Sequence, residues 1–147
     1  VMPAETCPCG SGKDYRNCCA DLIEGNAIAQ TPEQLMRSRF SAYVLQQTDY
    51  LYQTWHPDTR PALSELEDKT VQWQQLKVIA ADNETVEFLA IGHTEGQSIM
   101  LHELSRFSHT EGRWFYVDGQ IFKPPSKNGA CLCGSGKKFK RCCGKSI

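Results

Sequence analysis

A cysteine pattern that occurs twice constrains this chain more than anything else in it. The first copy runs from Cys7 to Ala20 as CPCGSGKDYRNCCA, and the second from Cys131 to Gly144 as CLCGSGKKFKRCCG. Both follow C-x-C-G-S-G-K-x-[YF]-[KR]-x-C-C, with eight residues between the inner cysteines, and together they use all 8 cysteines of the 147-residue chain. Four cysteines within thirteen residues form the ligand set of a closed tetrahedral zinc site, with thiolates at about 2.3 Å from the metal. The first pair is tighter than a C-x2-C knuckle, so the backbone must turn sharply there. Gly10 and Gly12 can take positive φ, and Ser11 suits a turn. Amides freed by that turn can donate to sulfur, and Lys13, Arg16, Lys137, Lys138, Lys140 and Arg141 can offset the negative charge of a tetrathiolate. Tyr15 and Phe139 occupy equivalent positions as small apolar covers. A module this short has almost no core, so metal supplies most of its folding free energy.

The competing reading is a disulfide framework, for which eight cysteines allow 105 pairings. Against it stand the strain of an adjacent Cys–Cys bond and the lack of any secretion signal in the first thirty residues. Iron–sulfur ligation is a further alternative, but the repeat matches neither common cluster spacing. Four protein ligands leave a metal no open position for substrate, so these modules imply folding and display rather than catalysis.

The repeat resembles the SEC-C motif, the zinc module at the carboxyl terminus of the SecA translocation ATPase. The resemblance implies that Cys7, Cys9, Cys18 and Cys19 hold one zinc ion and that Cys131, Cys133, Cys142 and Cys143 hold a second. A motif at each end of a central domain is similar to the arrangement in the bacterial YchJ family. The motifs cover under a quarter of the chain, and nothing in it resembles the ATPase motor.

Between the motifs the pattern is helical first and then alternating. Thr31-Pro32-Glu33 is a helix start, with an N-cap followed by proline at the first position. Leu35, Met36, Phe40, Tyr43 and Val44 then give one apolar face through about Gln47, a core stripe. Thr48-Asp49 caps a second short helix carrying Tyr50, Leu51 and Trp55, which His56-Pro57-Asp58 ends, and a third short helix is expected over 61–68. From Trp73 the period becomes two. Strands are expected over 73–81, 84–94, 98–109 and 113–122, joined by short turn-forming connections, which makes a meander of antiparallel neighbours. The fold class is α+β: helices packed on a curved four-stranded antiparallel sheet, flanked by two small four-cysteine zinc modules. The expected organisation is an N-terminal module and linker over 1–25, a central domain over 26–122, and a basic C-terminal module over 123–147.

Alternation places Trp114, Tyr116 and Asp118 on one face of the last strand, with Phe115 and Val117 on the other. In the strand before it, Leu101, Glu103, Ser105 and Phe107 oppose Met100, His102, Leu104 and Arg106. Large apolar residues thus lie on both faces. Helices cover one, and a second copy of the chain or the zinc modules would cover the other.

The helical stretch PEQLMRSRF (32–40) followed by LHELSRFSHTEGRWFYVDG (101–119) resembles the nuclear-transport-factor-like, or SnoaL-like, fold. That resemblance implies a cone-shaped domain with a pocket, used for proton transfer in some relatives and for binding in others. Candidate polar residues for such a pocket are His56, His102, Glu103, Tyr116 and Asp118. Each also has a structural reading: His56 ends a helix, Asp118 precedes a turn, and Glu103 is a buried partner for an arginine. No spacing among them singles out a catalytic set.

Net charge is −1, but it is unevenly spread. Residues 123–147 hold seven Lys or Arg and no acid, whereas 26–122 hold thirteen acids and seven bases. A basic terminal module suits an acidic protein partner such as a chaperone, or the ribosome. RNA is a weaker expectation, because Phe139 alone among those bases could stack. No apolar run is long enough to span a bilayer, and thiolate-rich motifs without an evident targeting segment make a cytoplasmic location the expectation. The function expected is that of a zinc-binding adaptor. The alternative is a small-molecule enzyme or carrier using the central pocket.

Overall fold

The computed structural model describes residues 6–66, 71–122 and 137–138. Helix α1 (Cys19–Ile23) closes the first cysteine motif, α2 (Pro32–Val44) and α3 (Thr48–Gln53) follow, and a 3-10 turn covers Leu63–Leu66. Strands β1 (Gln72–Ala81), β2 (Thr85–Thr94), β3 (Gln97–Thr110) and β4 (Arg113–Phe122) form one antiparallel sheet in the order β1-β2-β3-β4. The helix-then-meander α+β reading is therefore the observed fold. Cys131, Cys133, Phe139, Lys140, Arg141, Cys142 and Cys143 lie outside the described residues.

Local chemistry explains the elements. The Thr31 hydroxyl accepts the Gln34 amide at 3.1 Å, and the Gln34 side chain in return accepts the Gln30 amide at 2.7 Å, so α2 starts where two donors are satisfied reciprocally. Two hairpins are tighter than the sequence suggests. Glu95-Gly96 and Glu111-Gly112 carry φ of 51°, 79° and 51°, 79°, which is the two-residue type I′ turn that matches strand twist.

α2 lies across the inner sheet face. Leu35, Met36 and Phe40 pack with Leu76, Val86, Phe88, Ala90 and Phe107 in the main core. The helix is buried on more than that one stripe, because Ser38, Arg39 and Ser41 are also buried. Their surroundings are α3 and the first cysteine motif, whose α1 packs along α2. On the other sheet face Leu89 and Ile91 are buried as well.

β3 and β4 depart from simple alternation. Arg106 pairs with Asp118 but Phe107 pairs with Tyr116, so Val117 is an extra residue on β4. The bulge moves Asp118 to the face opposite Tyr116, which corrects the shared face expected from period two. It also brings Gly119 and Ile121 onto the inner face, opposite Ser105 and Glu103. A Cβ at Gly119 would overlap the Glu103 carboxylate, so only glycine leaves that carboxylate room. Gly119→Ala is expected to destabilise the domain by about 1–3 kcal/mol through overpacking, read as a lower urea midpoint with unchanged slope.

Candidate metal centre and central cavity

In the first motif a sharp turn folds the two ends of the module together. The Cys7 amide bonds to the Lys13 carbonyl at 2.8 Å, the Gly10 amide to the Cys7 carbonyl at 3.2 Å, and both Gly10 and Gly12 sit at φ 82°. The sulfur atoms of Cys7, Cys9, Cys18 and Cys19 all lie within 4.8 Å of one another and form no disulfide. Cys9 and Cys18 sulfurs are 3.7 Å apart, and those of Cys18 and Cys19 are 3.9 Å apart. A tetrahedral zinc with bonds of about 2.3 Å holds its sulfurs about 3.8 Å apart, so the donor set fits that ion. Cys7, Cys9 and Cys19 are buried, with Tyr15 packed against them as the expected cover.

Hydrogen bonds to sulfur complete the arrangement. Ser11 Oγ lies 3.3 Å from Cys18 Sγ, and Ser41 Oγ of α2 lies 3.4 Å from Cys7 Sγ. Backbone amides of Cys9 and Ser11 add bonds to the sulfurs of Cys7 and Cys9. Bonds from Cys19 and Cys9 hold Cys7 far below the usual thiol range, while the same pairing with Cys7 and Cys9 pushes Cys19 up. Among the three buried thiols, crowding thus holds Cys7 low while Cys9 and Cys19 are raised. A divalent cation that displaces the remaining protons removes that conflict.

This module is bound to the central domain by more than its linker. Arg37 Nη1 donates to the Cys9 carbonyl at 2.6 Å while its Nε donates to Glu33 at 2.9 Å. Gly10 faces the Leu76 carbonyl so closely that a Cβ there would stand only 2.9 Å from it. Ile23 of α1 packs both on the cysteines and on the Ala42–Leu51–Leu66 cluster.

On the opposite side of α2 lies a cavity of about 360 Å³. Its wall is largely aromatic, with Phe40, Tyr43, Trp55, Trp73 and Phe88; Arg39, Glu103 and Tyr116 add polar groups, and Trp55 Nε1 is buried with no partner among the described residues. Glu103 is only 8% exposed. Ser105 Oγ donates a short bond to Glu103 Oε2, and the Tyr116 hydroxyl donates to the same oxygen at 3.1 Å. Arg39 is 2% exposed, and its Nη1 donates to the Leu51 carbonyl at 2.9 Å and to Thr54 Oγ1 at 2.7 Å. Its guanidinium lies over the rings of Tyr116 (4.7 Å) and Trp55 (5.2 Å).

Of the five candidate pocket residues, the structure brings together two, Glu103 and Tyr116. His56 follows α3, where its Nδ1 accepts the Asp58 amide at 3.1 Å and its own amide donates to the Tyr116 carbonyl at 2.7 Å. His102 is on the other sheet face, bonded to Glu87 at 2.7 Å. Asp118 makes an exposed two-point pair with Arg106 at 2.6 Å, which lowers its pKa from the ordinary carboxylate value. Arg39 and Trp55 belong to the cavity without having stood among the candidates. Arg39 does carry a signal in the sequence: it falls at the i+4 position from Leu35, inside the apolar stripe of α2.

Burial, and then the charge of Glu103, push the Tyr116 phenol above its ordinary value, and burial does the same to Tyr50. Both are therefore neutral in the fold, while an unfolded phenol ionises near about pH 10. The stability they contribute is complete below that pH and is lost as pH rises beyond it toward the folded values. Melting temperatures measured from pH 8 to pH 11 are expected to fall at the alkaline end, and Tyr116→Phe is expected to flatten that fall.

Comparison with known proteins agrees with the geometry. Residues 31–119 match the family model described as the YchJ middle NTF2-like domain, and residues 4–21 and 128–145 match the SEC-C motif. The motif and the cysteine cluster together indicate metal binding. A UPF0225 protein of Serratia proteamaculans is 44% identical, the match covering 98% of this chain and all of that one. A second, from Sodalis glossinidius, is also 44% identical over 93% of this chain and 96% of its own length. Among solved structures, a SEC-C motif containing protein from Rhodopseudomonas palustris aligns with a TM-score of 0.75 at 33% identity, covering 81% of this chain and 100% of that one. Another, from Psychrobacter arcticus, aligns with a TM-score of 0.69 at 30% identity over 95% of both chains. An NTF2-like domain with a SEC-C motif at either end, matched along nearly its whole length by UPF0225 relatives, makes this chain a member of the YchJ family.

Proposed function

We propose that the protein is a cytoplasmic zinc-binding adaptor, with zinc held by Cys7, Cys9, Cys18 and Cys19 and by Cys131, Cys133, Cys142 and Cys143. The observation that carries this reading is the four-sulfur cluster with tetrahedral spacing in the first motif. Four buried or half-buried thiolates close the coordination sphere, so the metal shapes a surface and takes no substrate. That surface is charged: Lys13 and Arg16 are exposed in the first module, as are Lys137 and Lys138 in the second. No helix among the described residues is long and apolar enough to cross a membrane.

The two modules differ in charge. Lys13, Asp14, Arg16 and Asn17 sum to +1, whereas their counterparts Lys137, Lys138, Lys140 and Arg141 sum to +4. Attraction to an acidic partner should therefore be dominated by the C-terminal module and weaken as salt screens beyond about 8 Å at physiological ionic strength. The test is capture from a bacterial lysate with the full chain, with Lys138→Glu/Lys140→Glu, and with Lys13→Glu/Arg16→Glu. Loss of the captured protein with the first pair, and a smaller loss with the second, is the expected result. Equal losses, or binding indifferent to salt, would sink the charged-adaptor reading.

A second reading is favoured by the cavity beside α2, in which a buried carboxylate meets an aromatic wall. Such a pocket is suited to a small molecule, and the central domain would then be a carrier or an enzyme.

A further inference from the structure

Two polar groups on the residues that line the cavity are short of partners among the described residues: Trp55 Nε1, a buried donor with none, and the Glu103 carboxylate. Arg39 spends Nη1 on the Leu51 carbonyl and Thr54 Oγ1, and its flat face is covered by Tyr116 and Trp55. The Tyr116 hydroxyl is spent on Glu103. Glu103 is different. Two oxygens give a carboxylate about four acceptor sites. Both donors from Ser105 and Tyr116 reach Oε2, and no donor among the described residues reaches Oε1.

A carboxylate with spare acceptor capacity is costly to bury. The chain nevertheless holds it there with two hydroxyls, and Gly119 keeps the space its side chain needs. No described cation forms a salt bridge with it. The remaining wall is apolar or aromatic, including Trp73, Phe88, Leu101 and Ile121, the last 66% exposed at the rim. The cavity of about 360 Å³ exceeds what one bicyclic aromatic ring system needs.

We propose that this cavity binds a small, flat, mostly apolar molecule that presents a single hydrogen-bond donor, an N–H or O–H, to the Glu103 carboxylate. The aromatic wall takes the ring faces, Glu103 Oε1 takes the donor, and the same carboxylate repels anionic analogues. This rests on the reading of the cavity as a binding site and adds the class of ligand to it.

Indole and benzofuran test it, because they share shape and differ in an N–H replaced by an ether oxygen; benzoate supplies the anion. Binding of each to the reduced, zinc-loaded full chain would be measured by calorimetry, with amide shifts of residues 101–105 and 116–121 locating the site. Indole is expected to bind at least about tenfold more tightly than benzofuran, the worth of one hydrogen bond to a charged group, and benzoate least tightly. Glu103→Gln, checked for folding by its melting curve, is expected to bring indole and benzofuran within about threefold of each other. Equal binding of indole and benzofuran to the wild-type chain would overturn the donor class and leave the cavity as an apolar site. Tighter binding of benzoate would overturn it in favour of Arg39 as the anchor. If none of the three binds with shifts in those residues, the cavity reading fails with it.

Discussion

Two zinc ions per chain are expected from elemental analysis of the purified, reduced protein, and Cys9→Ser with Cys19→Ser is expected to leave one. The same pair of substitutions should also weaken the central domain, which distinguishes this module from a bead on a string. Zinc binding contributes about 10–16 kcal/mol to small structural sites, so the module has no independent means of staying folded without it. Once it opens, Arg37 loses the Cys9 carbonyl, Ser41 loses the Cys7 sulfur, and Ile23 leaves the Ala42–Leu51–Leu66 cluster. Loss of those buried contacts should cost the rest of the fold roughly 2–3 kcal/mol, or about 5–10 °C in melting temperature. Cys142→Ser with Cys143→Ser is expected to remove the other ion. An unchanged central melt after Cys9 and Cys19 are replaced would contradict the docking seen on α2.

The largest single-residue effect is expected at Arg39. Arg39→Ala takes the guanidinium donor from the Leu51 carbonyl and Thr54 Oγ1, opens space beneath two aromatic rings, and removes a positive charge that interacts with Glu103. Removing a buried, hydrogen-bonded charge in this way costs about 3–5 kcal/mol, measured as the shift in denaturant midpoint. Arg39→Lys should recover little, because an ammonium cannot lie flat between Trp55 and Tyr116 while reaching both acceptors. A shift below about 1 kcal/mol in Arg39→Ala would mean that the guanidinium is incidental to the fold.

Much of the architecture is readable because it is written in local terms. The duplicated cysteines, the Thr31-Pro32 start and the change of period at Trp73 each follow from chemistry within a few residues, and the first motif, α2 and the sheet form as those signals require. What cannot be read depends on distant neighbours. The bulge at Val117 is marked in the sequence only by Asp118-Gly119 beside it, which reads as a turn, yet it reverses the face of Asp118 and sets Gly119 against Glu103. Arg39 falls inside the apolar stripe of α2, but the acceptors that hold it there come from Leu51 and Thr54, more than ten positions on. His102 and Glu103 are adjacent in sequence and equally polar; the pleat alone sends one to Glu87 and the other into the cavity. Ser41 touches Cys7 across thirty-four positions, a contact no periodicity encodes.

α2 serves two tenants at once. Arg37 and Ser41, one turn apart, hold the cysteine module, while Met36, Arg39, Phe40 and Tyr43 line the cavity. Each residue of an α-helix advances the side-chain direction by about 100°. Inserting or deleting one residue between Arg37 and Arg39 would therefore rotate Arg39, Phe40, Ser41 and Tyr43 together relative to Met36 and Arg37, breaking up both sets. Point substitutions can drift on this helix, but its length between those residues is locked, as the phase between two gears on one shaft is locked.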